Sequence, residues 1–217
     1  MLIVEDLALL LMDDESGTPA AAGTLYYTMG GAVLVELALE GLVEVRDGKV
    51  HTVGDAPEDP LLRSGYEKAA EKPRSVHSLL ARIGADMWTR VVDRLVERGL
   101  IAREKKRVLG LFRMNTLPAT GTGHEEEVRR QIRAVLVDGA TPDARTAALT
   151  ALLSASGALP MLRPKLAWSS EVARRAKELE QGNWGAEAVS AAVIRTAAAV
   201  AASAAAVTAA VVIPAVT

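Results

Sequence analysis

The feature that most constrains the fold is an apolar helix followed at once by a β-hairpin. Residues 30–41 predict a helix that ends at Gly41, because glycine readily adopts the left-handed conformation that closes many helices. Residues 42–50 predict two short strands joined by Asp47 and Gly48, a pair typical of tight hairpin turns. The chain is therefore expected to alternate helical packing with small hairpins.

The same order of elements returns later in the chain. Residues 88–98 predict an amphipathic helix, Gly99 ends it, and residues 100–114 predict a second hairpin. Two such units in an otherwise helical chain favour a surface-docking protein over an enzyme with a catalytic cleft.

The composition predicts a core of closely packed helices. Hydrophobic residues make up 50% of the 217 residues but aromatic residues only 3%, so alanine, leucine and valine must fill the core. No cysteine is present, which excludes disulfides and thiolate chemistry, and the net charge of −2 disfavours binding of nucleic acid by bulk charge. We expect a mainly α protein, with one globular domain over residues 1–217 and two small β-hairpins. One of these hairpins is expected to be exposed and to carry apolar and basic residues.

Apolar segments at both ends are predicted to pack rather than to anchor the chain in a bilayer. Residues 7–12 are too short to span a membrane and predict a core helix. Residues 196–213 carry no charge and are long enough to cross about 30 Å of hydrocarbon, but aromatic and lysine anchors are missing from their flanks. We expect an edge-packed helix over about residues 186–213, with a membrane span as the alternative.

Capping residues mark several helix boundaries. Ser75 is predicted to cap a helix over residues 76–83, and residues 116–124 are predicted to form an internal linker. Thr141 is predicted to cap the next helix, with Pro142 in its first turn. Beyond the linker, the pattern predicts helices alone.

The sequence provides little support for catalysis. The three histidines, His51, His77 and His124, have no metal-ligand spacing, and the nucleophile-elbow, P-loop and dinucleotide motifs do not occur. We therefore expect no catalytic residues, no metal site and no cofactor.

The second hairpin combines a basic excess with apolar side chains. Five cations and one anion, Glu104, give residues 101–114 a net charge of +4. Each lysine or arginine close to an anionic membrane contributes about 1 kcal/mol, and inserted apolar side chains add to this. The alternative is that residues 105–107 form a solvated turn while the apolar residues face the core. The residues predicted to contact a membrane are Arg103, Lys105, Lys106, Arg107, Val108, Leu109, Leu111 and Phe112.

A winged-helix DNA-binding protein is the second interpretation of this region. Residues 86–98 would form the recognition helix and residues 100–114 the wing, and Arg90, Arg94 and Arg98 recur at helical spacing as a basic stripe. Three acidic residues in the same helix would repel phosphates, so nucleic acid is the less favoured partner.

Over nearly its whole length the chain resembles the Golgi phosphoprotein 3 family, in its bacterial form. The resemblance depends on the order and spacing of five segments: residues 12–17 (MDDESG), 30–41 (GGAVLVELALEG), 95–101 (LVERGLI), 145–146 (RT) and 175–179 (RAKEL). It implies a mostly helical domain with an exposed apolar hairpin. Eukaryotic members are peripheral Golgi proteins that bind phosphatidylinositol 4-phosphate and act as adaptors for glycosyltransferase tails.

The eukaryotic headgroup residues, a tryptophan and three arginines, are not retained. The aligned positions hold Ala21, Gly30, Ala85 and Trp88. A re-made anion site would use Arg82, Trp88 and Arg90, whereas the simpler interpretation is that these arginines are ordinary surface charges.

We therefore expect a non-enzymatic, cytoplasmic protein that binds the membrane peripherally or acts as an adaptor. Its expected partner is an anionic lipid or membrane surface. The apolar side of the second hairpin would insert into the membrane or pair with a protein partner or another copy of the chain.

Overall fold

A computed structural model describes residues 1–13, 19, 23–102, 104–108, 112–116, 122–162, 166–185 and 190–212. The mainly α prediction is confirmed. The helices of the described residues are α1 (Ile3–Leu11), α2 (Leu25–Leu39), α3 (Pro60–Ala70), α4 (Val76–Gly84), α5 (Met87–Glu97), α6 (Thr122–Leu136), α7 (Ala144–Ala155), α8 (Ser170–Glu180) and α9 (Ala191–Val212). A 3₁₀ turn, Leu159–Leu162, follows α7. The strands are β1 (Val43–Arg46), β2 (Lys49–Thr52), β3 (Arg74–Ser75), β4 (Glu104–Val108) and β5 (Phe112–Thr116).

Helix α2 lies at the centre of the core because its sequence is apolar on every side. It packs against α1, α3, α4, α7 and α9. Two glycines allow α2 and α4 to cross closely: a Cβ at Gly30 would lie 2.2 Å from the carbonyl oxygen of Leu80. At Gly84 a Cβ would lie 1.7 Å from the carbonyl oxygen of Tyr26. The two helices are therefore in backbone contact.

The first hairpin forms as predicted. Strands β1 and β2 pair antiparallel around Asp47 (φ 50°) and Gly48 (φ 70°), whose positive φ angles match a tight two-residue turn. The sequence did not predict β3, which pairs antiparallel with β2 and makes a three-stranded sheet in the order β1-β2-β3. This strand is only two residues long, which is too short for an alternating pattern to reveal it.

Two predicted helix caps have opposite outcomes. Ser75 caps α4 as predicted, since its Oγ accepts the N–H of Ser78 at 3.4 Å. The prediction of Thr141 as the cap of the later helix is wrong. Asp143 caps α7 instead, and its Oδ1 accepts the N–H of Thr146 at 2.8 Å. Pro142 therefore precedes the helix rather than starting it.

Helix α9 packs along the edge of the core. By length and composition the window Ala191–Ala210, with a mean hydropathy of 1.6, could cross a membrane, which is weak evidence because core helices have the same properties. Thr196 is fully buried and its Oγ1 accepts the N–H of Val45 at 3.2 Å. Thr208 donates to the carbonyl oxygen of Ala155 at 3.0 Å. The other buried residues of α9 are Ala197, Val200, Ala201 and Ala204.

Candidate functional site

The second hairpin is present, and its register divides its residues between two faces of different composition. Strands β4 and β5 pair antiparallel, with Arg107 opposite Arg113 and Val108 opposite Phe112. Successive residues of a strand alternate between the two faces. One face therefore holds Lys105, Arg107, Arg113 and Asn115, and the other holds Glu104, Lys106, Val108, Phe112, Met114 and Thr116. The register thus groups three cations on one face, while three large apolar residues share the other face with Glu104 and Lys106.

The side chains of the second hairpin lie outside the described part of the structure, and the predicted exposure of its apolar residues depends on them. Arg103, Leu109 and Leu111 lie outside the described residues altogether. Exposure of this hairpin therefore stays a prediction, while its strands and register are observed.

The segment that carries the hairpin is attached to α1 on both sides. Before β4, Arg98 Nη1 lies 2.6 Å from Glu5 Oε1. After β5, His124 Nε2 lies 2.7 Å from Asp6 Oδ1. Because Glu5 and Asp6 are adjacent in sequence, the same turn of α1 holds the chain before and after the hairpin.

These two carboxylates belong to a buried ionic network. Glu5 is 0% exposed, Asp6 4% and Glu36 6%. Arg145, from α7, places Nη2 3.0 Å from Asp6 Oδ2 and Nη1 2.7 Å from Glu36 Oε1, and it also donates to the carbonyl oxygen of Met1. Burial opposes the charge of Arg145, but the attraction of Glu36 and the hydrogen bond to Asp6 outweigh it and raise the pKa of Arg145. The network thus satisfies carboxylates that would otherwise be costly to bury.

The basic stripe of α5 points largely into this network. Arg94 Nε lies 3.0 Å from Glu5 Oε1, and Arg94 Nη1 lies 2.6 Å from Asp59 Oδ2. Burial works against the charge of Arg94, but the hydrogen bond to Asp59 and the Glu5 charge raise the pKa of Arg94. Arg90 donates to the carbonyl oxygen of Pro60 at 3.0 Å. All three stripe residues, with Arg98 as described above, have acceptors inside the protein, an arrangement that does not favour the winged-helix alternative.

The residues of the predicted anion site also have partners within the protein. Arg82 Nη2 lies 2.8 Å from Glu71 Oε2. The hydrogen bond from Arg74 is the largest effect and lowers the pKa of Glu71; burial opposes it, and the charges of Arg82 and Arg74 lower the pKa further. Trp88 is partly buried against the core. An anion at this place would compete with Glu71 for Arg82 and with a backbone carbonyl for Arg90, so the site stays a prediction.

One position that the resemblance pairs with a eukaryotic headgroup arginine has no room for a side chain. Gly30 lies in the contact between α2 and α4, where even a Cβ would overlap the backbone of Leu80. A side chain at position 30 therefore requires a different helix crossing.

Within the described ranges, no group of three or more His, Asp or Glu residues is placed to hold a metal ion.

Sequence reasoning missed the ionic network. Its residues lie up to 144 positions apart, as Met1 and Arg145 do. A signal existed, because Glu5, Asp6 and Glu36 interrupt otherwise apolar helices, and charged residues are rarely buried unless they are paired.

Comparison with known proteins identifies the fold family. The model of the Golgi phosphoprotein 3 (GPP34) family matches residues 3–210, which is nearly the whole chain. No curated protein matches the chain.

Proposed function

The chain belongs to the Golgi phosphoprotein 3 family, and from that premise we propose that it is a peripheral membrane protein that docks on anionic lipid through the β4–β5 hairpin. In this proposal it works in the cytoplasm as a non-enzymatic, lipid-binding adaptor. The lipid is recognised by surface charge rather than by the eukaryotic headgroup residues.

The observation that carries the proposal is the strand register. It groups Lys105, Arg107 and Arg113 on one face, whereas the other face holds Val108, Phe112 and Met114 together with Lys106 and Glu104. At about 1 kcal/mol for each cation near an anionic surface, the basic face contributes about 3 kcal/mol, or roughly a hundredfold in partitioning. Binding of this strength is reversible, and inserted apolar side chains would add to it.

The attachment to α1 supports a defined orientation of the hairpin. Arg98 and His124 hold the two flanks of the hairpin segment against Glu5 and Asp6. Binding of the hairpin to a membrane would therefore also fix the orientation of the body of the protein, as an adaptor requires.

Vesicle sedimentation tests the proposal. We expect the wild-type chain to bind vesicles of phosphatidylcholine with phosphatidylserine and to dissociate as salt is raised, since charge attraction is screened within about 10 Å at 0.1 M salt. The double variant Lys105→Glu with Arg107→Glu reverses two cations on one face and should weaken binding at least ~30-fold. The matched control is Lys49→Glu with Lys72→Glu, which makes the same charge change at two exposed positions elsewhere.

The decisive comparison is between the two double variants. Equal weakening by both would show that net charge rather than the hairpin controls binding. Binding that resists both salt and charge reversal would overturn the proposal. Phe112→Ser tests the apolar face: it should reduce binding to vesicles, whereas a change only in the oligomeric state, measured by analytical ultracentrifugation, would assign that face to pairing between copies.

A further inference from the structure

A small pocket lies far along the chain from the hairpin, where the loop between α6 and α7 meets the end of α8. Its volume is about 190 Å³. Gly139 and Thr141 of the loop, Arg175 of α8, and Asn183 and Trp184 beyond α8 are among the residues that line it. A water molecule occupies about 30 Å³, so the pocket has room for a small molecule but not for a drug-sized one.

Arg175 supplies a positive charge to this pocket. Its guanidinium has no hydrogen bond and no direct ion pair within the described part of the chain, whereas Arg174 binds Glu171 and Glu178 and Lys177 binds Glu180. The hydrogen bond from Arg174 is the main cause that lowers the pKa of Glu171, and the more distant charge of Arg175 adds to it. The neighbouring cations therefore occupy these carboxylates of α8. Arg175 is only partly exposed, so part of its hydration has already been removed.

Gly139 leaves room for this guanidinium. A Cβ at position 139 would lie 2.8 Å from Nη1 of Arg175, and the φ of Gly139 is +82°, which other residues rarely adopt. The guanidinium thus rests against the backbone of the loop, at the wall of the pocket.

Three residues that line the pocket also have backbone N–H groups without a partner among the described residues. The N–H groups of Gly139, Thr141 and Gly185 form no hydrogen bond with any described residue. Trp184 is 2% exposed and its Nε1 already donates to the carbonyl oxygen of Leu179 at 3.0 Å, so the indole serves as a rigid apolar wall. Glu178 also lines the pocket, but its charge is compensated by Arg174.

We propose that this pocket binds a small soluble oxyanion, a carboxylate or a phosphate, through the Arg175 guanidinium and the backbone N–H groups of the surrounding loops. Planar guanidinium donors and converging backbone N–H groups are the usual partners of oxyanions in proteins. The proposal does not depend on membrane docking, because none of the pocket residues belongs to the hairpin.

Titration by ¹H–¹⁵N NMR of the full chain tests this site. At constant ionic strength, sodium phosphate or sodium acetate should produce saturable shifts in the amides of Gly139, Thr141 and Gly185 and in the Trp184 indole. Chloride should produce none. Arg175→Gln removes the charge-assisted donors and should weaken binding at least ~10-fold.

Two further variants separate contact from bulk charge. Arg133→Gln makes the same charge change at an exposed position of α6 outside the pocket, and should leave the affinity unchanged within about twofold. Gly139→Ala keeps the charge but places a methyl group against the guanidinium, and should also weaken binding. Unsaturated shifts with both anions up to about 50 mM, or equal affinity for wild type and Arg175→Gln, would overturn the proposal.

Discussion

The tight crossing of α2 and α4 makes Gly84→Ala a sharp test of the architecture. The new Cβ would lie 1.7 Å from the carbonyl oxygen of Tyr26 and 2.6 Å from its carbonyl carbon. Real Cβ contacts are essentially never shorter than 3.0 Å, so α2 and α4 would have to separate by more than about 1 Å. The obstacle is backbone, and no side-chain rotation can relieve it.

The cost follows from what α4 buries. Leu79, Leu80 and Ile83 are fully buried in the same core as α2. Overpacking a core usually costs about 1–3 kcal/mol, and here a helix must move, so we expect a loss of about 3 kcal/mol. With a urea m-value of about 2 kcal/mol/M, the midpoint of unfolding should fall by about 1.5 M.

Gly123→Ala is the matched control. Position 123 lies in α6, and nothing approaches within 4 Å of a Cβ there. Because alanine is the better helix former, this change should raise stability by up to about 1 kcal/mol. An unfolding midpoint of Gly84→Ala at or above that of the wild type would refute the close crossing.

Two further predictions concern charge. Arg145→Met leaves the buried carboxylates of Asp6 and Glu36 without their guanidinium and should lower the free energy of urea unfolding by about 3 kcal/mol. The control Arg174→Met, at an exposed ion pair, should lower it by less than about 1 kcal/mol. Equal losses would contradict a special role for the network. Partial burial, followed by repulsion from Glu36 and Asp59, raises the pKa of Glu40. The folded state therefore favours the protonated carboxyl, and stability is lost as pH rises through this raised pKa and Glu40 ionises. Glu40→Gln should therefore raise the melting temperature at pH 7 and lose this advantage below about pH 4, and an equal gain at both pH values would contradict the reasoning.

Local signals explain the parts of the fold that the sequence predicts well. Gly41 and Gly99 have φ angles of +74° and +69° just beyond the ends of α2 and α5, where each was expected to end its helix. The Asp47 and Gly48 turn is equally local. The error at Thr141 has a local cause as well, because two competent capping residues, Thr141 and Asp143, lie two positions apart.

The anchoring of the hairpin could not be predicted, because it depends on which polar and charged side chains meet across the fold. Glu5 and Arg98 are separated by 93 positions, and Asp6 and His124 by 118. No spacing rule connects such pairs. The sequence shows only that α1 carries two acidic residues among apolar ones.

The same network changes how the charge of the chain should be assessed. Counted along the sequence, Arg94 and Arg98 add to the basic character of α5 and make a nucleic-acid surface plausible. In the structure both guanidiniums contact Glu5, and Arg94 also contacts Asp59, so their charge is largely compensated inside the protein. The region of net charge +4 over residues 101–114 is then the stronger source of attraction for an anionic surface, which is why the charge-reversal experiment belongs on the hairpin rather than on α5.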